Sequence, residues 1–473
     1  MELTVGEIAE ATGGRVVAGH PSWAATSFTY DSRTLEPGAC FFALRGNRDG
    51  HDFVHDAFDH GALVAVVERD VPDARRPGAR ALVQVPDALR ALGDCGRRAR
   101  DRLSRSTVVG VTGSAGKTST KDLARAALAR RFVVTASPGS FNNESGLPLT
   151  LLAADERTDV VVAEMGARFA GNIAELCEIA RPHVGVVTHV GLAHAEHLGG
   201  REGIARVKGE LLEALPADGT AVVNADDDMT PALVRGTRAR VVPVGFSADP
   251  AHGGVRVRDV RIDAELRPSF ALDTPWGDTR ITLAVRGEHQ VVNAGMAAAV
   301  ALVLGVPIDD VALGLTEAAG ASWRMELDRS PAGLTVLNDA YNASPTAVAA
   351  ALRSFARLPG VRRRVVVLGE MLELGDCAPA EHETLGRLAH ELGFDAVVAV
   401  GDGARDVATG ARAAGIRDVV EARSVPDALE AVVALVGPED AVLVKASRAV
   451  GLEVVADALV AGAADSRPAG CRS

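Results

Sequence analysis

Apolar segments and helical runs alternate over most of the chain, and this pattern predicts an α/β protein. After about residue 105, each of four short apolar segments is followed by a helical run; they read TVVGVT, DVVVAEMGA, HVGVVTHV and TAVVNAD. Such alternation is typical of a mostly parallel sheet with right-handed crossovers. Between residues 240 and 286 apolar and polar positions alternate, as in TRITLAVRG, which predicts an antiparallel appendage. From about residue 320 a second α/β series begins.

The pattern also divides the chain into three segments. The first mixes short strands and turns, and it opens with a short helix whose Thr4 and Glu7 have capping-box spacing and which Gly13 ends. The arginine-rich helical stretch LRALGDCGRRARDRLSRS then leads into the second segment. Because 473 residues are too many for one ordinary core, we expect several domains. The boundaries that we predict are 1–105, 106–318 and 319–473.

Composition narrows the classes of function. The formal net charge of −12 argues against nucleic acid as a partner, because a nucleic-acid surface needs clustered basic residues. The start of the chain carries acids and no basic region, so we do not expect a signal peptide, and no apolar run is long enough to predict a membrane span. The cysteines are odd in number and lack metal spacing, which favours a reduced, cytoplasmic setting. They are Cys40, Cys95, Cys177, Cys377 and Cys471.

Lysine is scarce in this chain. Of the 50 basic residues only four are lysines, Lys117, Lys121, Lys208 and Lys445, which leaves 46 arginines. The chain therefore uses arginine where positive charge alone is needed, and a lysine marks a place for a compact ammonium or a reactive amine. The alternative is genomic base composition, which explains the scarcity but not the positions of the four.

A phosphate-binding loop is predicted at VTGSAGKTS, which follows the strand STVVG and opens a helical run from Ser119 to Arg130. In such a loop the backbone N–H groups wrap the phosphates, the lysine reaches the β- and γ-phosphates, and the hydroxyl that follows ligates magnesium. The loop departs from the common pattern because Val111 stands where a glycine is usual. A structural turn is the alternative. The predicted ATP-binding residues are Thr112, Gly113, Ser114, Ala115, Gly116, Lys117, Thr118 and Ser119.

Two further strands end in residues suited to a metal. Glu164 ends the apolar run of DVVVAEMGA, and His189, His194 and His197 follow GVVT. The carboxyl ends of parallel strands face one crevice, so these side chains are expected near the phosphates. A strand-end glutamate that caps a helix or forms an ion pair is the alternative. Spacing alone favours Lys208 as a surface helix residue paired with Glu210 or Glu213.

Motifs along nearly the whole chain resemble those of the Mur ligase family. They read GVTGSAGKTSTK, FNNESGLPLTLL, EMGARFAGNIAEL, HVGLAHAEHLG, VKGEL, GEHQVVNAGMAAAVAL, LNDAYNASPTAV and VLVKASRAVGLE. The resemblance implies a UDP-binding α/β N-terminal domain, a central P-loop ATPase domain and a Rossmann-like C-terminal domain. It is greatest to the members that join D-Ala-D-Ala to UDP-MurNAc-tripeptide in peptidoglycan precursor synthesis.

The resemblance also implies a reaction and its cofactors. ATP phosphorylates the terminal carboxylate of the tripeptide, and the amine of the dipeptide attacks the acyl phosphate, giving UDP-MurNAc-pentapeptide, ADP and phosphate. ATP and two Mg²⁺ are the expected cofactors, and a cytoplasmic monomer is the expected form. Lys117, Glu164, His194 and Lys208 are the implied catalytic residues. Thr118 and Glu164 would hold one magnesium and His194 a second, while Lys208 falls where the family often carries a carbamylated lysine (N6-carboxylysine) that ligates metal.

Further residues take roles from the resemblance. Asn293 would contact adenine, with His289 a turn earlier, although an Asn that caps its helix is the alternative. Arg324 would reach the phosphates from the C-terminal domain; many relatives carry glycine just before it, where this chain has Trp323. Asp339 and Asn342, before a helix that starts at Ser344 and Pro345, would face the nucleotide.

Substrate contacts are implied at both ends of the chain. Asp31, Ser32 and Arg33 in YDSRTL resemble a uridine-site signature, and a plain turn with an ion pair is the alternative. Asn142 and Asn143 would order the loop beside the γ-phosphate and the tripeptide. Lys445, Ser447 and Arg448 follow the last apolar strand, where they would meet the peptide carboxylate or the dipeptide.

Three other functions compete with this hypothesis. The ligase that adds the third amino acid typically carries an Asn-Pro-Arg-type motif, where this chain has AVGDGARDV. Folylpolyglutamate synthases share the ATPase core but lack the uridine-type N-terminal domain. A non-catalytic nucleotide-binding regulator would not need Glu164, His194 and Lys208 together, so their presence argues against it.

Overall fold

Three large β-sheets follow one another along the chain with helices packed on them, and residues 3–4 and 24–25 form a further two-stranded sheet. The structure is a computed structural model, and it describes residues 1–71, 80–192 and 195–463. Within this part of the chain, no helix is both long and apolar enough to cross a membrane. Cys40, Cys95, Cys177 and Cys377 are free thiols, and Cys471 lies outside the described residues.

The first sheet has five strands in the order β2-β7-β6-β5-β4, parallel except for β2. The predicted first helix is confirmed: the Thr4 hydroxyl accepts from the N–H of Glu7 at 3.2 Å, and Gly13 ends the helix with φ +62°. The elements of this region are β1 (Leu3–Thr4), α1 (Val5–Thr12), β2 (Arg15–Ala18), β3 (Ala24–Ala25), β4 (Ser27–Thr29), β5 (Ala39–Phe42), α2 (Val54–Asp59), β6 (Val64–Val67), β7 (Ala81–Gln84) and α3 (Ala88–Arg102).

The second sheet has nine strands in the order β16-β15-β14-β13-β12-β11-β8-β10-β9. Its elements are β8 (Thr107–Thr112), α4 (Lys117–Leu128), β9 (Val134–Ala136), α5 (Gly146–Ala153), β10 (Val160–Glu164), α6 (Asn172–Ala180), β11 (Val184–Val187), α7 (Ala195–Leu198), α8 (Gly200–Glu213), β12 (Thr220–Asn224), α9 (Thr230–Leu233), β13 (Arg240–Gly245), β14 (Val255–Ile262), β15 (Pro268–Thr274), β16 (Gly277–Thr282), α10 (Gln290–Val303) and α11 (Ile308–Glu317).

One expectation about this sheet is wrong in detail. β14, β15 and β16 are antiparallel to one another, as predicted, but they are not a separate appendage. β14 pairs in parallel with β13, where Val244 lies opposite Val255, so the antiparallel strands extend the same sheet. The physical reason is that the outer edge of β13 would otherwise present unpaired backbone groups.

The central strands are apolar throughout because helices cover both faces of the sheet. Successive residues of β8 enter two different cores: Val108 packs in the core that contains Leu211 of α8, and Val109 packs in the core that contains Leu123 of α4. The strand order places β9 and β10 on one side of β8 and β11 on the other. This reversal opens a crevice at the carboxyl ends of the strands, which is where ligands bind in such sheets.

The third sheet has the order β17-β18-β22-β19-β20-β21 and is parallel except for β17, as a Rossmann-like domain requires. Its elements are β17 (Glu326–Arg329), β18 (Thr335–Asn338), α12 (Pro345–Ala356), β19 (Arg364–Gly369), α13 (Ala378–Glu391), β20 (Ala396–Val400), α14 (Arg405–Ala414), β21 (Asp418–Ala422), α15 (Val425–Leu435), β22 (Ala441–Lys445) and α16 (Glu453–Val460).

Candidate active site

A cavity of about 640 Å³ lies between the carboxyl ends of the central strands and the C-terminal domain. It brings together most of the residues to which the sequence assigned a role. Those that line it are Ser114, Ala115, Gly116, Lys117, Thr118, Ser119, Asn142, Asn143, Glu164, Lys208, Asn293, Arg324, Asp339, Asn342 and Lys445.

The predicted phosphate loop joins β8 to α4. The helix begins at Lys117, two residues before the predicted start, because Gly116 with φ +82° turns the chain into it. Gly113, with φ +147°, follows Thr112 at the end of β8, and a Cβ there would lie 2.0 Å from the Thr188 hydroxyl oxygen. Val111 is fully buried within β8, so the position where a glycine is usual belongs to the strand.

Thr118 and Glu164 lie at the centre of a hydrogen-bond network. The Thr118 hydroxyl donates to Glu164 Oε2 at 2.9 Å and accepts from Arg324 Nη2 at 2.9 Å. The other carboxylate oxygen of Glu164 accepts from Asn142 Nδ2 at 2.8 Å, and the side chain is almost fully buried. Within residues 1–71, 80–192 and 195–463, Glu164 therefore neither caps a helix nor forms the ion pair that the alternative interpretation required.

The amines of two lysines, Lys117 and Lys208, belong to residues that line the same cavity as Glu164. Lys117 Nζ donates to the carbonyl of Gly113 at 2.8 Å, and burial lowers the pKa of Lys117 against the opposing effect of Glu164. Lys208 is 1% exposed, and burial, with a smaller contribution from the charge of Lys117, lowers its pKa to about 7. Among the described residues no carboxylate lies within ion-pair distance of Lys208.

The interpretation of Lys208 as a surface residue is wrong. Glu210, one of the two expected partners of Lys208, accepts instead from the backbone N–H groups of Gly171 and Ala174 at 2.7 and 3.0 Å. These bonds satisfy two backbone N–H groups at the start of α6, so Glu210 has a structural role there. Lys208 lines the cavity instead. A buried amine with a pKa of about 7 has a substantial neutral fraction near neutral pH, whereas a solvated lysine is almost entirely an ammonium there.

The far end of the cavity is built around α10. Asn293 Nδ2 donates to Gln290 Oε1 at 3.0 Å, and its side chain lies so close to Gly116 that a Cβ there would be 2.6 Å from Asn293 Oδ1. Because α10 begins at Gln290, Asn293 does not cap it, and that alternative is wrong. His289 Nδ1 is buried without a hydrogen-bond partner among the described residues, and burial lowers its pKa to about 4.

Comparisons with known proteins cover nearly the whole chain. Family models for the Mur ligase family catalytic domain, the Mur ligase middle domain and the Mur ligase glutamate ligase domain match residues 25–100, 111–301 and 323–448. The chain is 42% identical to the UDP-N-acetylmuramoyl-tripeptide–D-alanyl-D-alanine ligase of Mycobacterium tuberculosis, with 98% of each chain covered. The chain belongs to the Mur ligase family.

Solved structures of MurF have the same fold as this Mur ligase. The crystal structure of MurF from Acinetobacter baumannii superposes with a TM-score of 0.86 at 31% identity, covering 97% of this chain and 99% of that one. MurF from Thermotoga maritima, solved in complex with ADP, gives 0.77 at 28% identity and covers 93% and 98%. The α/β fold and the family that the motifs predicted are confirmed.

The C-terminal domain of this Mur ligase brings a buried ion pair to the cavity. Lys445 Nζ lies 2.5 Å from Asp339 Oδ2 and also donates to the carbonyl of Asn342 at 3.0 Å. The sequence assigned Asp339 to the nucleotide and Lys445 to a peptide substrate, whereas the structure pairs them with each other. The predicted helix start is confirmed, since Ser344 is the N-cap of α12 and Pro345 its first residue.

Other expected ligand residues of this Mur ligase lie apart from the cavity. Ser447 Oγ accepts from the N–H of Leu372 at 3.0 Å, and Arg448 pairs with Glu453. Asp31, Ser32 and Arg33 form a short turn, in which the N–H of Arg33 donates to Asp31 Oδ1 at 3.0 Å. This is the geometry that the plain-turn alternative describes, and a role in uridine binding stays a prediction. His194 lies outside the described residues.

Sequence reasoning missed three side chains around the site. Asp227 is 1% exposed in its side chain and lies 2.8 Å from His189 Nδ1. Although burial raises its pKa, hydrogen bonds from His189 and from the N–H groups of Val190 and Met229 lower it to about 2. The other two are Ser140 and Lys121. The Ser140 hydroxyl is hydrogen-bonded to the hydroxyl of Tyr341, and the Lys121 ammonium donates to the carbonyl of Ser137. Only Lys121 had a signal in the sequence, the scarcity of lysine.

Proposed function

We propose that this Mur ligase joins D-Ala-D-Ala to UDP-MurNAc-tripeptide with hydrolysis of ATP to ADP and phosphate. The observation that carries the proposal is the network of Thr118, Glu164 and Arg324 beside the buried amine of Lys208. It gathers, in one cavity, groups that can hold a triphosphate and its counter-ions. The named substrates follow from the relatives, which are ligases of this specificity at up to 42% identity.

The first chemical step is phosphoryl transfer. An oxygen of the tripeptide's terminal carboxylate attacks the γ-phosphorus of ATP, the bond to the bridging oxygen breaks, and ADP leaves with that electron pair. The amine of the dipeptide then attacks the acyl carbon, loses a proton, and expels inorganic phosphate as the amide forms. Because the carboxylate and the triphosphate are both anionic, cations that neutralise charge in the transition state of phosphoryl transfer carry most of the catalysis of that step.

This chain's residues divide that work. The backbone N–H groups of the loop from Gly113 to Lys117 hold the phosphates at the start of α4, and the Lys117 ammonium lies where the β- and γ-phosphates would be. Arg324 brings a planar cation from the C-terminal domain to the same place. Asn293 and His289 form the wall for the base, while Asn142 and Asn143 stand between the phosphates and the peptide.

Magnesium fits the donors present. Thr118 Oγ1 and Glu164 Oε2 are hard oxygen ligands 2.9 Å apart, and Mg²⁺ at ATP sites takes one or two such protein ligands with waters and phosphate oxygens. Within the described residues there is no cluster of three acidic, histidine or cysteine side chains, and such a site needs none. Bound magnesium would neutralise the charge of the transferred phosphoryl group. A second ion would be held by His194 and by Lys208.

Lys208 suits that role only when it is carbamylated. The reaction of an amine with CO₂ needs the neutral amine, and burial favours the neutral form of Lys208. The product is an N6-carboxylysine whose two oxygens ligate metal, and an arginine could not form it. The presence of a lysine in a chain that otherwise uses arginine supports this assignment.

The remaining features complete the proposal. We assign the domain boundaries to residues near 105 and 318. We assign the turn at Asp31, Ser32 and Arg33 to the uridine site. Ser447 and Arg448 are assigned to the side of the incoming dipeptide. The protein acts as a cytoplasmic monomer that binds no nucleic acid. Four free thiols support a reducing compartment.

The deciding experiment offers the enzyme the substrate pairs of related ligases in turn. We expect phosphate release and a pentapeptide product, seen by mass spectrometry, only with UDP-MurNAc-tripeptide, D-Ala-D-Ala and ATP. Turnover only with the dipeptide precursor and a diamino acid, or only with folate and glutamate, would overturn the assignment. A Lys208→Ala variant whose activity short-chain carboxylates restore would support carbamylation, and full activity without them would remove Lys208 from the mechanism.

A further inference from the structure

Residues 137–143, which make up most of the segment between β9 and α5, lie in the central domain and contact the other two domains, and we call them the junction loop. The whole chain has two tyrosines, Tyr30 and Tyr341, and each contacts this loop from a different domain. The ring of Tyr30 stacks on Phe141, with 6.4 Å between centroids and 26° between planes. The hydroxyl of Tyr341 bonds that of Ser140. The junction loop therefore lies where the N-terminal, central and C-terminal domains meet.

Lys121 anchors the junction loop to the central domain. It lies on α4, the helix that follows the phosphate loop, and its side chain is almost completely buried. Its ammonium donates to the carbonyls of Ser137 and Gly139, at 2.6 and 3.0 Å. An ammonium can satisfy several acceptors at once from a compact head, which an arginine fork cannot reproduce in the same space.

The junction loop in turn holds Glu164 at two points. The backbone N–H of Glu164 donates to Ser137 Oγ at 3.0 Å, and Asn142 Nδ2 donates to Glu164 Oε1 at 2.8 Å. The second carboxylate oxygen is thereby directed to Thr118, on the first turn of α4. Helix α4 is therefore connected to the Glu164 carboxylate in two ways. Thr118 bonds to the carboxylate directly, and Lys121 is connected to it through the junction loop.

We propose that Lys121 and Ser140 are positioning residues of the ligase reaction, acting through the junction loop. Lys121 holds the loop so that Asn142 sets the orientation of the Glu164 carboxylate. The bond from Ser140 to Tyr341 makes that orientation depend on the place of the C-terminal domain, whose Arg324 lies over the Tyr341 ring at 4.2 Å. Catalysis is sensitive to such placement because reacting groups must be held within a fraction of an ångström. This inference rests on the proposed function.

A double-mutant cycle tests the domain contact. Ser140→Ala and Tyr341→Phe each remove one hydroxyl, and the phenylalanine keeps a ring beneath Arg324. We expect each variant to lower kcat/KM for UDP-MurNAc-tripeptide by about tenfold, with the dissociation constant of ADP changed less than about twofold. The double variant should lose no more than either single one, because the same bond is already broken. Ser140→Thr, which keeps the hydroxyl, should restore most of the activity.

Lys121→Met tests the anchor, with Arg125→Met on the exposed side of the same helix as its matched control. We expect faster hydrogen exchange of the amides of Gly146 and Leu147, which bond to the carbonyl of Asn143, in the first variant and not in the second. The Mg²⁺ concentration for half-maximal turnover should also rise in Lys121→Met and not in Arg125→Met. If Lys121→Met does not fold, the Ser140 and Tyr341 cycle decides the matter alone.

The outcomes separate this inference from the proposed function. An inactive wild type with every substrate pair would overturn the function. An active wild type whose Ser140→Ala and Tyr341→Phe losses multiply in the double variant, or whose variants match the wild type, would overturn the positioning role. Equal losses of ADP affinity and of kcat/KM would also overturn it, because they would indicate general damage to the nucleotide site.

Discussion

Arg324 of the C-terminal domain donates a hydrogen bond to the hydroxyl of Thr118 in the central domain, with 2.9 Å between Nη2 and Oγ1, across 206 positions of the chain. The residues on either side, Trp323 and Met325, have φ of +57° and +55°, in the left-handed region that favours glycine. A residue other than glycine rarely adopts this conformation, yet Trp323 and Met325 both do so next to Arg324. The bent backbone directs the guanidinium into the nucleotide cavity.

Arg324→Lys should lower turnover by about 100-fold, the usual loss when one fixed charge-stabilising donor is removed. Lysine keeps the charge but loses the planar fork and the stack over Tyr341. The measurement is steady-state ADP release. Arg329→Lys, at an exposed position five residues further on, is the control and should keep wild-type turnover. Equal activity of the two variants would show that the contact with Thr118 does not serve catalysis.

Gly116→Ala should weaken ADP binding at least about tenfold, while Gly171→Ala should not. Both glycines precede a helix with nearly the same φ, +82° and +87°, so the backbone cost of about 1 kcal/mol is common to both. Only at Gly116 would the new Cβ meet Asn293, at 2.6 Å; at Gly171 no atom lies within 4 Å. Calorimetric titration with ADP measures the difference. Similar ADP affinities of the two variants would mean that the Asn293 side chain moves aside without loss of binding free energy.

Lys208→Met should stabilise the central domain at low pH and abolish activity. The amine has a pKa of about 7 in the folded protein against 10.5 ordinarily, so between these values the unfolded chain holds a proton that the folded protein has released. The free energy of unfolding of the wild type therefore rises from pH 7 to pH 10.5. Below pH 7 the full penalty of burying the ammonium applies, on the order of 5 kcal/mol. Methionine removes the penalty at every pH.

The measurement is urea denaturation at pH 6 and pH 9.5 in CO₂-free buffer. The advantage of Lys208→Met over the wild type should be large at pH 6 and should fall to about 1.4 kcal/mol at pH 9.5, one pH unit below the ordinary pKa of lysine. Lys208→Arg is the control, because a guanidinium keeps its proton throughout and should be unstable at both values. Parallel stability profiles for wild type and methionine variant would contradict the lowered pKa.

Lys445→Met should destabilise the C-terminal domain by about 3–5 kcal/mol, because it leaves the Asp339 carboxylate buried without its partner. The double variant Asp339→Leu with Lys445→Met should recover part of that loss. Thermal denaturation followed by circular dichroism measures both. An unchanged melting temperature combined with a raised KM for D-Ala-D-Ala would instead support the substrate role that the sequence favours.

Much of the candidate site could be predicted because its parts are local. The phosphate loop, the strand that ends at Glu164 and the start of α12 at Ser344 and Pro345 each lie within a few consecutive residues, where turn chemistry and periodicity leave a direct mark. The burial of Lys208 was harder to predict, because the number of residues between Lys208 and Glu210 is the same whether the helix is solvated or buried. Only packing distinguishes the two cases.

By itself, the amino-acid sequence determined the α/β class, the order of the sheets, the phosphate loop and the family. Tertiary structure alone decided which partners the polar side chains take: Lys445 with Asp339, Arg324 with Thr118, and Ser140 with Tyr341. These pairs are separated by 106 to 206 residues. The periodicity of helices and strands indicates which residues within a short stretch share a face. Contacts between distant segments arise only when whole sheets pack against each other, and so does the burial that shifts a pKa.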